Sequence, residues 1–175
     1  DPKPLQYISE AYKELGDEDK ALEYNQQYMD KNPNAAPTDF MKLAEIYVNK
    51  AKKDPAKKIE NTDKAIGVYA KLSEKYPTLK TFAKLQEGNT AFQNELDDKA
   101  IAAYTEVINE LEAKQCDEDE LSYLKTSYQY MGFIYTYDKQ DFNTAKPYWD
   151  KLLKLDPQNK LANDAYEKAG LKPGE

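Results

Sequence analysis

Histidine is absent from this chain of 175 residues, and several catalytic mechanisms are excluded with it. Without an imidazole, neither a Ser-His-Asp nor a Cys-His arrangement can form, and no metal can be bound through histidine. The single cysteine, Cys116, cannot form a disulfide within the chain. It precedes the acidic run 117–120, which raises the pKa of a thiol and lowers its reactivity. We therefore expect a loop residue at 116, no cofactor and no enzymatic activity.

Arginine is absent too, because all 25 basic residues are lysines, and the formal net charge is -7. The chain thus lacks the forked donor that reads phosphate and guanine, and its charge opposes nucleic acid at long range. No apolar run reaches 18 residues, so we predict no membrane span. Abundant lysine, asparagine and tyrosine without arginine suggest an AT-rich, bacterial coding sequence.

Glycine is scarce, with six residues, and few segments alternate with the period of two that strands require. Helical stretches recur instead. Three alanines each begin an amphipathic stretch that ends at a proline twelve residues later: Ala21 with Pro33, Ala65 with Pro77, and Ala145 with Pro157. Ala100 begins a similar stretch that has no proline. A unit that recurs every few tens of residues predicts stacked helical repeats, with small side chains where helices cross.

These segments resemble tetratricopeptide repeats, whose first helix carries a large, a small and an aromatic residue and whose second carries alanine and proline. The first unit matches at Leu5, Ile8, Ser9, Tyr12, Gly16, Ala21 and Pro33, the second at Phe40, Leu43, Ala44, Tyr47, Ala65 and Pro77, and the last at Tyr128, Met131, Gly132, Tyr135, Ala145, Trp149 and Pro157. The resemblance implies an all-α fold, in which about four helical hairpins form a right-handed superhelical stack closed by a C-terminal capping helix.

The resemblance also predicts the domain organisation. We expect a single domain over residues 1–175, with units at about 4–34, 38–77, 81–115 and 119–157 and a capping helix at 158–170. The third unit is degenerate, because Lys84 and Glu87 occupy positions where the pattern requires apolar residues. The array could also have continued before the first unit.

The second unit carries an insertion, residues 49–63, that contains five lysines and a proline. We expect both helices of this hairpin to be longer and to meet near Asp54-Pro55, where proline can begin a helix. The lysines either form a solvated face or make a basic finger that contacts an acidic partner.

The family binds proteins or peptides on the concave face that its first helices line. On this chain the resemblance places there Gln6, Glu10, Lys13, Met41, Glu45, Val48, Leu85, Asn89, Phe92, Gln129, Phe133 and Thr136. A register shift of one residue in the third unit would instead bury Phe92 in the core. The composition of this face suggests an apolar groove with an acidic end, suited to a peptide or helix that carries apolar anchors and basic residues.

Three kinds of function remain open. The first is a non-catalytic scaffold that binds a protein or peptide in this groove. The second is a structural spacer or self-association segment of a longer repeat protein, which exposed aromatic residues such as Phe82 or Tyr137 would favour. The third is an enzyme that uses carboxylates and tyrosine, for which a deep pocket with two carboxylates is required. The acidic run 117–120 lacks the alternating ligands and the glycine of a calcium loop, so no metal site is expected.

Overall fold

The structure is a computed structural model that describes residues 2–174, and the chain divides into two compact units, Asp1–Leu96 and Asp97–Glu175. The division falls inside the predicted third hairpin, 81–115, so its two helices belong to different units. The single-domain organisation and the boundaries of the four predicted repeats stay predictions.

Unit 1 consists of helices that pack in sequential order. Its α-helices are α1 (Lys3–Glu14), α2 (Glu18–Lys31), α3 (Pro37–Lys53), α4 (Lys58–Lys75) and α5 (Lys80–Gln93). Short 3-10 turns at Pro55–Lys57 and Pro77–Leu79 precede α4 and α5. Helices α1 and α2 form one hairpin, and α3 and α4 form the next.

Local sequence sets the ends of these helices. Gly16 adopts a φ of 75° after α1, a conformation that glycine reaches without strain. The Asp17 carboxylate then accepts a hydrogen bond from the Lys20 backbone N–H and caps α2. The insertion lengthens its hairpin as predicted, since α3 and α4 have 17 and 18 residues whereas α1 has 12. The turn between them begins at Pro55.

A buried cluster holds the second hairpin of unit 1 together and includes the start of α5. Its side chains are small at the helix crossings and large between them, so the helices approach closely without leaving voids. The cluster comprises Ala35, Phe40, Leu43, Ala44, Tyr47, Ala65, Val68, Tyr69, Leu72 and Ala83.

Unit 2 contains α6 (Asp97–Glu112), α7 (Glu118–Phe133), α8 (Phe142–Leu155) and α9 (Lys160–Lys168), and a π-helical turn, Ile134–Asp138, extends α7. Asp117, Asp141 and Asn159 cap α7, α8 and α9 by accepting backbone N–H hydrogen bonds. These three caps fix the residues at which α7, α8 and α9 begin.

The centre of unit 2 is a close approach between α7 and α8. Trp149 of α8 is 0 % exposed and lies against Gly132 of α7. A Cβ on Gly132 would come within 2.5 Å of the Trp149 ring, so only glycine permits this packing. The indole N–H donates to the Thr136 hydroxyl at 2.8 Å, inside the π-helical turn. The ring and the turn therefore fix each other.

The all-α prediction is confirmed: within residues 2–174 every regular element is helical and no strand occurs. Ala21, Ala65, Ala100 and Ala145 are all 0 % exposed, as their predicted place at helix crossings requires. No helix in this described part of the chain combines the length and apolarity needed to cross a membrane.

Candidate binding groove

Helices α1 and α3 are joined by a ladder of polar side chains on the first two hairpins of unit 1. Its rungs recur at about one helical turn, which places them along one edge of each helix. They are Gln6 Nε2 to Asp39 Oδ1 at 3.1 Å, Lys42 Nζ to Glu10 Oε1 at 2.5 Å, and Lys13 Nζ to Glu45 Oε2 at 2.9 Å. The two glutamates predicted to make an acidic end thus each pair with a lysine.

The buried end of the ladder is Asp39, which is 6 % exposed. Its carboxylate accepts hydrogen bonds from Gln6, from the Tyr28 hydroxyl at 3.0 Å and from the Ala36 backbone N–H at 2.8 Å. Burial and this carboxylate raise the pKa of Tyr28, because both disfavour the phenolate. Asp39 therefore fixes α3 against α1 and α2.

A cavity of about 270 Å³ opens beside the ladder, and we call it the groove cavity; it is lined by Ser9, Glu10, Lys13, Glu14, Asn25, Lys42 and Ile46. Asn25 of α2 is 3 % exposed, and its Oδ1 receives no hydrogen bond. Ser9 is already engaged, since its hydroxyl donates to the Ala21 carbonyl at 2.7 Å. An unpartnered amide in a polar cavity is suited to bind a hydrogen-bonding ligand, because an unmade hydrogen bond is costly.

Sequence reasoning missed Asn25. A signal was available, since Asn25 lies one turn after Ala21 on the face of α2 that is otherwise buried. A polar residue on an apolar helix face has either a partner or a function. The repeat pattern specifies the size of the side chain at such positions and not its polarity. It therefore does not reveal Asn25.

The predicted residues of α3 are exposed to different degrees. Met41 is 38 % exposed, and the Glu45 side chain is 52 % exposed. Val48 is half-buried and packs against the cluster of the second hairpin. Met41 is thus the accessible apolar side chain that α3 contributes to the predicted face.

Helix α5 differs most from the predicted face. Leu85 is buried at 5 % exposure, whereas Asn89 and Phe92 are half-buried. The positions that lack apolar residues hold an ion pair instead: Lys84 Nζ lies 2.8 Å from Glu87 Oε2, and Glu87 is 8 % exposed.

The remaining predicted residues lie in unit 2. Gln129 of α7 accepts a hydrogen bond from Asn159 at 3.3 Å, and Phe133 packs on Tyr137 with ring centroids 4.8 Å apart. The Thr136 hydroxyl already accepts a hydrogen bond from the Trp149 indole N–H. Gln129 and Phe133 are both half-buried, so each retains accessible surface.

The lysine-rich insertion makes contacts within unit 1. Its lysines reach the turns of the neighbouring helices rather than extending as a finger. The pairs are Lys50 with Asp19, Lys53 with Glu18 at 2.6 Å, and Lys58 with Glu95 at 2.5 Å. Three of the five lysines are therefore part of the packing of unit 1.

Cys116 and the acidic run have structural roles. Burial first, and then the charge of Glu120, raise the pKa of the Cys116 thiol, which donates to the Leu111 carbonyl at 3.3 Å. Asp117 and Glu120 form a reciprocal capping box at the start of α7. Within residues 2–174 no three acidic or cysteine side chains gather as metal ligands.

Comparison with known families identifies the hairpins of unit 1. The family described as tetratricopeptide repeat matches residues 5–35 and 40–78, which contain the hairpins α1-α2 and α3-α4. Residues 5–35 and 40–78 of this chain thus carry tetratricopeptide repeats. Tetratricopeptide repeats generally mediate protein–protein interactions. A comparison with curated protein sequences finds no match.

A solved structure shows the same fold. It is the C-terminal part of a tetratricopeptide repeat-containing protein from Cytophaga hutchinsonii, which is 21 % identical with a TM-score of 0.68. The match covers 92 % of this chain and 58 % of that one, so the present chain spans less than two thirds of its relative's length. At this identity the likeness concerns the fold alone.

Proposed function

We propose that this protein is a non-catalytic scaffold and that unit 1 binds a segment of a partner polypeptide across α1 and α3, over the groove cavity. The observation that carries the proposal is Asn25, an amide that is 3 % exposed and lacks a hydrogen bond to its Oδ1. A peptide backbone offers an N–H, which is the donor that the Asn25 amide oxygen lacks. The bound segment would satisfy Asn25.

The rim of the cavity sets the chemistry of the segment. Glu10 and Glu45 are balanced by Lys42 and Lys13, so the rim attracts neither sign of charge strongly at short range. Met41 adds an exposed, adaptable apolar surface beside these pairs. The net charge of -7 favours approach of a basic segment at long range. We therefore propose a ligand with apolar anchors flanked by basic residues.

The other half-buried residues of the predicted face extend this proposal within their own units. Asn89 and Phe92 offer further contacts on α5 of unit 1, and Gln129 and Phe133 offer a surface on α7 of unit 2. Leu85 is omitted because it is buried.

Peptide selection followed by measured affinities tests the proposal. Peptides are selected from a random display library on the wild-type chain, and their dissociation constants are then determined by fluorescence anisotropy. We expect Met41→Ala to weaken binding by about tenfold, as truncation of an interface anchor does. Ile59→Ala is the matched control, since Ile59 is 60 % exposed on α4, whereas the proposed groove lies across α1 and α3. Equal effects of the two substitutions would refute the groove.

A second candidate is self-association, and α1 supplies the observation that favours it. Tyr7 is 64 % exposed and Ile8 is 38 % exposed on this helix. The aromatic residues named from the sequence do not contribute, because Phe82 and Tyr137 are half-buried. Light scattering at rising concentration separates the two functions: a dimer that Tyr7→Ser abolishes supports self-association, and a monomer at every concentration excludes it.

A further inference from the structure

A second cavity lies in unit 1, where the turns of the first two hairpins meet, and we call it the turn cavity. Its volume is about 440 Å³, and no residue that lines the groove cavity also lines it. The α1-α2 turn forms one wall, and the end of α3 with the start of α4 forms the other. It is large enough for a small ligand or a side chain with its ordered water.

Most charges around the turn cavity neutralise one another. Lys50 and Lys53 pair with Asp19 and Glu18 of the opposite wall, and Asp17 pairs with Lys20 at 3.4 Å. The Asp54 carboxylate accepts the Ala56 backbone N–H at 3.1 Å.

Lys57 differs from these residues. In the part of the chain that the structure describes, its ammonium makes no hydrogen bond or ion pair. It precedes the first residue of α4, where the helix dipole adds partial positive charge. Among the residues that line the cavity, Lys57 is the lysine without an ion pair and Asp54 is the carboxylate without one. The Lys57 ammonium lies beside a helix N-terminus, where an anion is stabilised.

Asn61 gives evidence for a ligand that is independent of Lys57. This residue lines the turn cavity, is 2 % exposed, and its Nδ2 donates no hydrogen bond. Asn61 of α4 and Lys57, which precedes that helix, both line the turn cavity. A buried donor without an acceptor is costly, and a ligand oxygen removes that cost.

We propose that the turn cavity binds a carboxylate, which accepts a hydrogen bond from Asn61 Nδ2 and pairs with the Lys57 ammonium. The ligand is either a small free carboxylate or the acidic side chain of a bound polypeptide, since both present the same group. This site is separate from the groove proposed above and does not depend on it.

Nuclear magnetic resonance of the full chain tests the proposal directly, with the Asn61 side-chain NH₂ resonance as the readout. Two probes are titrated at low salt: sodium acetate, and an N-acetylated, C-amidated Gly-Glu-Gly peptide. We expect a saturable shift of the Asn61 resonance. Saturation by acetate alone assigns the site to small carboxylates, and saturation by the peptide assigns it to acidic side chains. If neither probe gives a saturable shift, water fills the cavity and the proposal fails.

Two lysine substitutions that each remove one positive charge provide the test and its control. Lys57→Gln should weaken the binding by about tenfold, since it removes a charge-assisted hydrogen bond. Lys52→Gln should leave it within about twofold, because Lys52 is exposed on α3 and does not line the cavity. Equal weakening by both variants would show general charge attraction and overturn the site.

Discussion

Replacing Gly132 by alanine tests how unit 2 is packed. The new Cβ would lie 2.5 Å from Trp149 Cε2 and 2.6 Å from Cδ2, and this ring is 0 % exposed. Overpacking of a filled core costs about 1–3 kcal/mol. Displacing the ring also breaks its hydrogen bond to Thr136, a further loss of about 1 kcal/mol. Better helix propensity returns about 1 kcal/mol. The free energy of unfolding should therefore fall by about 1–3 kcal/mol.

Thermal unfolding followed by fluorescence measures this effect on unit 2 alone, because Trp149 is the single tryptophan. A loss of that size lowers the midpoint by about 5–20 °C in a unit of this length. Gly67→Ala is the control, since no atom lies within 4 Å of a Cβ there. Followed by circular dichroism, it should raise stability by about 0.5–1 kcal/mol. A Gly132→Ala variant as stable as the wild type would refute the packing.

Three further predictions concern buried polar groups. Asp39→Ala should lower the free energy of unfolding in urea by about 2–4 kcal/mol, because it strips three donors of their acceptor; Asp19→Ala, at an exposed ion pair, should change it little. Asn25→Leu should raise the free energy of unfolding by about 1 kcal/mol, since it removes an unpartnered amide beside an open cavity; a loss would show that Asn25 is already satisfied. Burial raises the pKa of Tyr104, so its contribution to the free energy of unfolding should be full below the ordinary tyrosine pKa of about 10 and should fall as pH rises above it. Tyr104→Phe should reduce the fall in the free energy of unfolding between pH 8 and 11. An unchanged fall would exclude Tyr104 as its source.

The fold could be predicted from the sequence because its determinants are local and repeat. Ala21, Ala65, Ala100 and Ala145 mark helix crossings by size alone, and all four are fully buried. Pro55 marks the turn of the long hairpin, since proline suits the first turn of a helix and not its interior.

The site was less predictable because it depends on contacts distant in sequence. Pairing of Glu10 with Lys42 requires α1 and α3 to be in register, and the sequence of either helix alone does not state that register. Leu85 was placed on the surface because the repeat pattern fails in α5, where Glu87 takes an interior position. The same reasoning applies to Asn61, whose unpartnered amide becomes visible only when the turns come together.

We propose above that a polypeptide binds unit 1 across α1 and α3. Photo-crosslinking tests it most directly, with a benzophenone-bearing phenylalanine placed at position 41 or, as the control, at position 59, and with a peptide selected on the wild-type chain. We expect a crosslinked peptide at position 41, identified by mass spectrometry, that excess unlabelled peptide abolishes and that position 59 does not give. Crosslinking at position 59 with none at 41 would contradict it.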